Sequence, residues 1–321
     1  HTSPHAAMNP TSPDLFTTLR PRLFGIAYRM VGVRADAEDV LQDAWLRWSR
    51  QDVALLQSAE AWLVTVVTRL AIDRLRALKA EREAYVGWWL PEPLVELQGD
   101  NADSGGIHHN TPESAAELAG ELSVAFLYVL ERLGPEERAA FLLRQVFDYD
   151  YPEIAAHLGK TEAACRQMVH RASERVQQAR TRFDVPRNVH HQLLQRFMQA
   201  AHSGDRNAIE ALLSEGAQLI GDGGGKVAAF PQPRGGRFRI AILYWAQHRR
   251  LGAQLAYRMA LINGEPGLLH YANGRLDSVQ AFVTDGEHIV AIHAVRNPDK
   301  LTRVPAALDE HEHWRQRSDG F

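Results

Sequence analysis

Tyr151 to Glu174 reads YPEIAAHLGKTEAACRQMVHRASE, and its spacing decides the middle of the fold. A helix-turn-helix requires a small residue in its first helix, a glycine four positions later at the turn, and a buried apolar residue six beyond that. Ala155, Gly159 and Cys165 meet these demands. The small alanine lets two helices cross closely, and glycine permits the positive φ of the turn. Cys165 is then a core filler, because a buried thiol is ordinarily inert. The second helix of such a motif enters a major groove with its early residues toward base edges. Here it carries Arg166, Gln167, His170, Arg171, Arg175 and Arg180, opposed only by Glu162 and Glu174. Arginine reads guanine bidentately and glutamine reads adenine, whereas Lys160 and the later arginines suit phosphates. With Thr161, these residues form the expected duplex-binding set. The bland alternative is a helical hairpin with a solvated basic face.

Working outward, Pro135–Val146 and Glu113–Leu133 read as further helices before the motif, and Pro186 closes the segment. Residues 14–82 are helical throughout. Leu15, Leu19, Leu23, Ile26 and Met30 recur at helical spacing up to a stop at Gly32. Asp36 is placed to cap a second helix, whose Ala37, Val40, Leu41, Ala44 and Trp48 share a face. Ser58 can cap a third, Ala59–Glu83, with Leu63, Val66, Val67 and Leu70 inward. Between these blocks, 87–111 is a linker: Trp88, Trp89, Pro91 and Pro93 come first, then the polar, Gly-rich QGDNADSGGIHHNT.

From about Asn188 the texture changes. Helices around His190–His202 and Asp205–Ser214 precede strand-like runs at Gln218–Gly221, Lys226–Phe230, Ala253–Ile262, Gly267–Asn273, Leu276–Thr284 and His288–Val295. The expected class is therefore multidomain: two all-α domains followed by an α+β domain on a curved sheet. Its boundaries are a disordered leader at 1–13, helical domains at 14–86 and 112–185, an α+β domain at 188–306, and a polar tail at 307–321.

The 321 residues suit two or three domains, and 45% hydrophobic with 23% charged is ordinary for a globular chain. No apolar run approaches the length of a membrane-spanning helix, and no secretory signal is visible. The single cysteine excludes an intramolecular disulfide and a Cys-rich zinc site. His190/His191 and His311/His313 lack matched further ligands, so neither metal nor cofactor is expected. These features together point to the cytoplasm. The net charge of −3 does not exclude nucleic acid, which is held by local patches rather than by the sum.

The whole plan resembles a bacterial RNA polymerase sigma factor of the extracytoplasmic-function (ECF) class. DAEDVLQDAWLRW, Asp36–Trp48, looks like the region 2.2 helix, and the resemblance implies that Asp39, Gln42, Asp43, Leu46 and Arg47 face the polymerase clamp. AWLVTVVTRLAIDRLR, Ala61–Arg76, is similar to regions 2.3 and 2.4, which open and read the minus-10 element. Thr65, Arg69, Asp73 and Arg76 are its outward stripe, with Asp73 placed to pair with Arg69 or Arg76. The loop Arg50–Ala59 stands where family members receive a flipped base. Leu133–Arg171, with its LGPEERAAFLLR lead-in, looks like region 4, the minus-35 reader that also meets the beta flap. The implied partners are core RNA polymerase, through its beta-prime clamp and beta flap, and promoter DNA, with no membrane.

The C-terminal part resembles a SnoaL-like cone, as in one ECF subgroup marked by WLPEP (Trp89–Pro93), DGGGK (Asp222–Lys226) and NPDKL (Asn297–Leu301). In that subgroup the extension is taken to regulate the sigma factor in place of a separate anti-sigma protein. Trp88, Trp89, Leu90, Pro91 and Pro93 put apolar area into a linker, so they are expected to anchor between the helical and α+β domains. DGGGK fails as a phosphate loop, because Val227 follows the lysine. It reads as a turn offering Asp222 and Lys226 to a neighbour. Asn297 follows the last strand, Pro298 ends it, and Asp299 and Lys300 are expected to be exposed.

A cone can hold a small-molecule ligand, and proton chemistry would need an acid or base aimed into its cavity. Asp222, Tyr244, His248, Tyr257, His270, Tyr271 and His293 are the candidates, but satisfied core or surface groups explain each as well. The expected function is an ECF sigma factor regulated in cis, not an enzyme. The alternatives are a ligand-sensing DNA-binding repressor and a SnoaL-like enzyme fused to a DNA-binding module.

Overall fold

In the computed structural model the described residues are 12–97, 122–179 and 183–307. The leader, the polar half of the linker, the first part of the 113–133 helix, Arg180 and the tail lie outside them. The described chain falls into two compact units. The first holds residues up to Ala80 and Arg132–Val176; the second holds Glu81–Leu97, Leu122–Glu131 and the chain from Gln177 onward.

The first unit is all helical. Helix α1 (Ser12–Val31) buries Leu23, Phe24, Ile26, Ala27 and Met30, and ends where Gly32, at φ +73°, donates its N–H to Tyr28 O at 2.7 Å. Helix α2 (Arg34–Trp48) starts two residues before the expected cap. Asp36 sits inside its first turn, buried, and takes an ion pair from Arg74. Helix α3 (Ala59–Glu83) does begin at Ser58, whose Oγ accepts from Ala61 N at 3.1 Å.

Helices α5 (Pro135–Gln145), α6 (Tyr151–Leu158) and α7 (Glu162–Ala179) complete the unit. A buried arginine ties α5 to α1: Arg138 Nε donates to Arg29 O at 2.9 Å. Arg29 is itself fully buried, its guanidinium 5.3 Å from the Phe147 ring, and burial lowers its pKa to about 10. Arg22 reaches Tyr149 OH at 2.9 Å.

The second unit is α+β. Helices α8 (Arg187–Ser203) and α9 (Arg206–Ala211) lead into β2 (Leu213–Asp222); the two-residue β3 (Arg234–Gly235) and helix α10 (Arg237–Leu251) follow. Strands β4 (Leu255–Ile262), β5 (Glu265–Ala272), β6 (Arg275–Thr284) and β7 (Ile289–Val295) then form an antiparallel meander. Lys226–Phe230, expected as a strand, is irregular, and α10 was not foreseen at all.

The linker supplies β1 (Val95–Leu97), so the sheet runs β1-β4-β5-β6-β7-β2-β3, with β2 parallel to β7. One face packs Leu193, Phe197, Tyr244, Tyr257, Phe282 and Ile292 beneath α8–α10. The other is covered by Leu90 from the linker, Val124 from the short helix α4 (Val124–Leu130), and Leu301 and Val304 from the chain after β7. Helix α4 begins at a Ser123 cap rather than further upstream within a long helix. Asn263, in the β4–β5 turn at φ +53°, clamps this layer: its Oδ1 accepts from Leu94 N and its Nδ2 donates to Leu122 O.

Candidate nucleic-acid interface

The helix-turn-helix forms as its spacing predicts. Asp150 and Glu153 cap α6 reciprocally, each side chain accepting the other's N–H at 2.9 Å. Gly159 ends α6 in the left-handed region, at φ +65°, and Thr161 Oγ1 accepts from Ala164 N at 3.2 Å to start α7. Ala155 and Cys165 are buried, and burial pushes the thiol pKa up. Thr161, Arg166, Gln167, His170, Arg171 and Arg175 are exposed, with Lys160 half-buried.

The basic residues among these have partners. Arg166 pairs with Glu162 at 2.8 Å and lies 5.0 Å from the Tyr151 ring centroid, while His170 is 3.5 Å from Glu174. Arg171 and Arg175 share Glu137 at 3.2 and 2.7 Å, and Lys160 takes Glu136 at 2.9 Å. The hydrogen bond from Lys160, with Arg76 close by, holds the Glu136 carboxyl below the usual carboxylate range. Glu136 and Glu137 belong to the LGPEER lead-in, and their part in the basic surface was missed. The sequence signal for it was two adjacent acids in the first turn of the helix that precedes the motif.

The stripe on α3 meets the same elements. Thr65 Oγ1 lies 2.7 Å from His157 Nδ1, and Arg69 Nε donates to His157 O at 3.1 Å. Arg76 reaches Glu136 at 2.7 Å and Asp73 at 3.0 Å, so Asp73 pairs with Arg76. Three of the four stripe residues are thus held by residues of α5 and α6. On α2 the picture is the reverse. Asp39, Gln42, Asp43, Leu46 and Arg47 are all exposed on one face, with Leu46 at 46%. In the loop before α3, Asp52 caps a turn over Val53–Leu55, and Leu55 is 78% exposed.

The three marker strings converge inside the second unit. Asp222, fully buried, accepts hydrogen bonds from Tyr85 OH (2.6 Å), Leu90 N (2.9 Å), Gly224 N (3.1 Å) and Lys300 Nζ (2.7 Å). Asn297 Nδ2 donates to Tyr85 OH at 2.8 Å. Lys300 also reaches Leu90 O and lies 4.2 Å from the Trp89 ring, whose face carries Arg82 at 4.0 Å. Lys300 is therefore buried, not exposed, because only there can its charge meet Asp222. Burial lowers its pKa even beside that carboxylate. Burial, followed by the hydrogen bond to Asp222, raises that of Tyr85. Lys226 stays exposed and pairs with Asp299 instead. Pro91 and Pro93 are buried, and Trp88 Nε1 donates to Pro231 O at 3.1 Å.

The candidate proton-transfer residues are buried core groups apart from His248, which is half-buried. Tyr244 OH donates to Gln280 Oε1 at 2.8 Å. His270, 1% exposed, stacks on Tyr257 and takes Asp277 at 3.1 Å. Burial pushes the Asp277 carboxyl up, but hydrogen bonds from His270 and Arg296 outweigh it and bring its pKa to about 2. Tyr271 OH donates to Pro305 O at 3.3 Å, His248 packs over Gly204, and His293 meets the Tyr128 ring. A cavity of about 60 Å³ lies beside His190, His293 and Thr284. Among the described residues no three His, Cys, Asp or Glu side chains are grouped to hold a metal ion, and no helix is long and apolar enough to cross a membrane.

Comparison with known proteins gives these geometries a family. Residues 15–81 match Sigma-70 region 2 and residues 123–176 match Sigma-70, region 4. The chain is 36% identical over 302 residues to ECF RNA polymerase sigma factor SigJ of Mycobacterium tuberculosis, covering 90% of this chain and 93% of that one. Probable ECF RNA polymerase sigma factor SigI of the same organism is 28% identical over 290 residues, 90% of this chain and 94% of its own. The crystal structure of M. tuberculosis SigJ aligns with a TM-score of 0.72 and 33% identity, over 91% of this chain and 99% of that one. The α+β unit is thus part of the shared architecture, and the chain belongs to the family of ECF RNA polymerase sigma factors.

Proposed function

We propose that this sigma factor works in the cytoplasm, docks on the core polymerase clamp through Asp39, Gln42, Asp43, Leu46 and Arg47, and reads promoters with two surfaces that hold each other in the free protein. Thr65, Arg69, Asp73 and Arg76 face the minus-10 element. Arg166, Gln167, His170 and Arg171 face minus-35 base edges, while Lys160, Thr161 and Arg175 take phosphates. The second unit controls these surfaces in cis, in place of a dedicated anti-sigma protein. It does so by seating the linker between them on Asp222, through Trp88, Trp89, Leu90, Pro91 and Pro93, with Lys226, Asn297, Asp299 and Lys300 around the seat. The second unit serves as a regulatory body rather than a catalytic one, and the WLPEP, DGGGK and NPDKL strings support membership of the subgroup they mark.

The observation that carries this reading is the convergence of all three strings on one buried carboxylate, directly after the helix that bears the minus-10 stripe. Run-off transcription with core polymerase tests it. Promoter-specific transcripts are expected, and none with competent core would end the assignment. Asp222→Asn with Lys300→Met, which removes both charges together, is expected to change transcript yield several-fold. Wild-type yield from a folded double variant overturns regulation in cis.

The glutamates supply an independent check on how the two surfaces hold each other. Glu136→Gln with Glu137→Gln releases Arg76, Lys160, Arg171 and Arg175. Exposed pairs of this kind are each worth under about 1 kcal/mol. Promoter affinity of the free protein should therefore rise about three- to tenfold, with a steeper salt dependence measured by fluorescence anisotropy. Unchanged affinity would mean the pairs do not compete with DNA.

A further inference from the structure

One surface of the second unit is used by nothing described above. From Gly216 to Gly264 the sequence holds seven Lys and Arg and a single acid, Asp222, which is buried, in a chain whose net charge is −3. The arginines gather on helix α10. Phe238, Ile242, Trp245 and Arg249 follow one another at helical spacing along a single face, with Arg239 and Arg250 beside it. Phe238 is 51% exposed and Trp245 38%. Leaving two large rings in water is costly unless something covers them. Each ring carries a guanidinium: Arg206 at 5.7 Å from Phe238, and Arg249 at 5.5 Å from Trp245. Arg206, Arg239, Arg249 and Arg250 are exposed and have no carboxylate partner among the described residues. Arg237 alone on this helix leans on Glu210, at 3.7 Å.

We propose that this face of α10 binds a single-stranded nucleic acid, with the phosphodiester backbone on Arg239, Arg249 and Arg250 and bases stacked on Phe238 and Trp245. Charge complementarity selects the occupant. A second copy of the chain would set like-charged arginines against each other across a two-fold interface. An acidic protein would satisfy the arginines and leave two flat rings without a preferred partner. A strand satisfies both, since every base has a π-face and every nucleotide a phosphate. The surface is separate from the helix-turn-helix and from α3, so this proposal stands or falls independently of promoter reading.

The full-length protein serves for the test, with labelled dT20 and rU20 and a random duplex as probes. Arg239→Glu, Arg249→Glu and Arg250→Glu combined should lower affinity for at least one of the single strands tenfold or more. Three lost phosphate contacts should also flatten the salt dependence by about two. Phe238→Ala with Trp245→Ala keeps the charge and should weaken the same strand about threefold or more while leaving the salt slope alone. Loss on one strand assigns the surface to that strand; loss on both makes it a general single-strand binder. The ratio of minus-35 duplex to random duplex binding should stay as in wild type. Photo-crosslinking should place the strand on the peptide 240–249. If both variants melt like wild type and bind both strands with wild-type affinity and slope, the proposal is overturned. It is equally overturned if the charge reversal weakens only polymerase binding, which would assign the face to a protein.

Discussion

Lys300→Met is expected to cost the second unit about 3–5 kcal/mol, read from urea unfolding followed by tryptophan fluorescence. The variant leaves Asp222, fully buried, with a charge no cation answers. Tyr85, Leu90 N and Gly224 N still donate to it, but they solvate a carboxylate without neutralising it. The ammonium also fills a slot over the Tyr85 and Trp89 rings, at 5.0 and 4.2 Å, so its loss loosens the linker as well as the pair. Asp222→Asn in the same chain should recover part of the loss, because a neutral amide needs no counter-charge. A double-mutant cycle measures the coupling. If the two changes add with no coupling, the ion pair does not hold the linker.

Arg171→Ala is the second large effect. A bidentate base contact is worth about 1–3 kcal/mol of discrimination, which is about five- to 150-fold in preference for the cognate minus-35 sequence over a mutated one. In the free protein Arg171 is shared with Arg175 on Glu137, so its guanidinium already stands clear of α7 with a fixed anchor. Arg175→Ala, expected on a phosphate, should instead weaken cognate and mutated sites alike and reduce the salt slope by about one. A competition assay with promoter duplexes separates the two. Equal loss of discrimination in both variants, or in neither, would refute the division of roles along α7.

The helices were legible because their signals are local. Gly159 and Ser58 each act within a few residues, and the apolar stripe of α1 repeats every turn. Asp36 shows the limit: an acid near a helix start suggests a cap, but the side chain is buried and pairs with the half-buried Arg74, 38 residues away. Helix α10 escaped notice because Gly-rich turns bound it and its outward face mixes aromatic and arginine residues, hiding the usual apolar-against-polar contrast. Strand β1 has three residues and exists only through β4. Lys300 looked like a surface lysine after a proline, since nothing nearby in sequence announces a carboxylate 78 residues earlier. The site was legible as residue types and not as pairings. Glu136, Glu137, Tyr85 and Asp277 complete the clusters through distant contacts.

The seating of Leu90 against Lys300 joins positions 210 residues apart. On a ribosome, at about 5–20 residues per second, the tryptophan-bearing stretch emerges about 10–40 s before the strands that cover it are made. The nascent chain thus carries an uncovered apolar segment until those strands are made. A premature stop before those strands would therefore leave Leu90 without the layer it packs against in the finished protein.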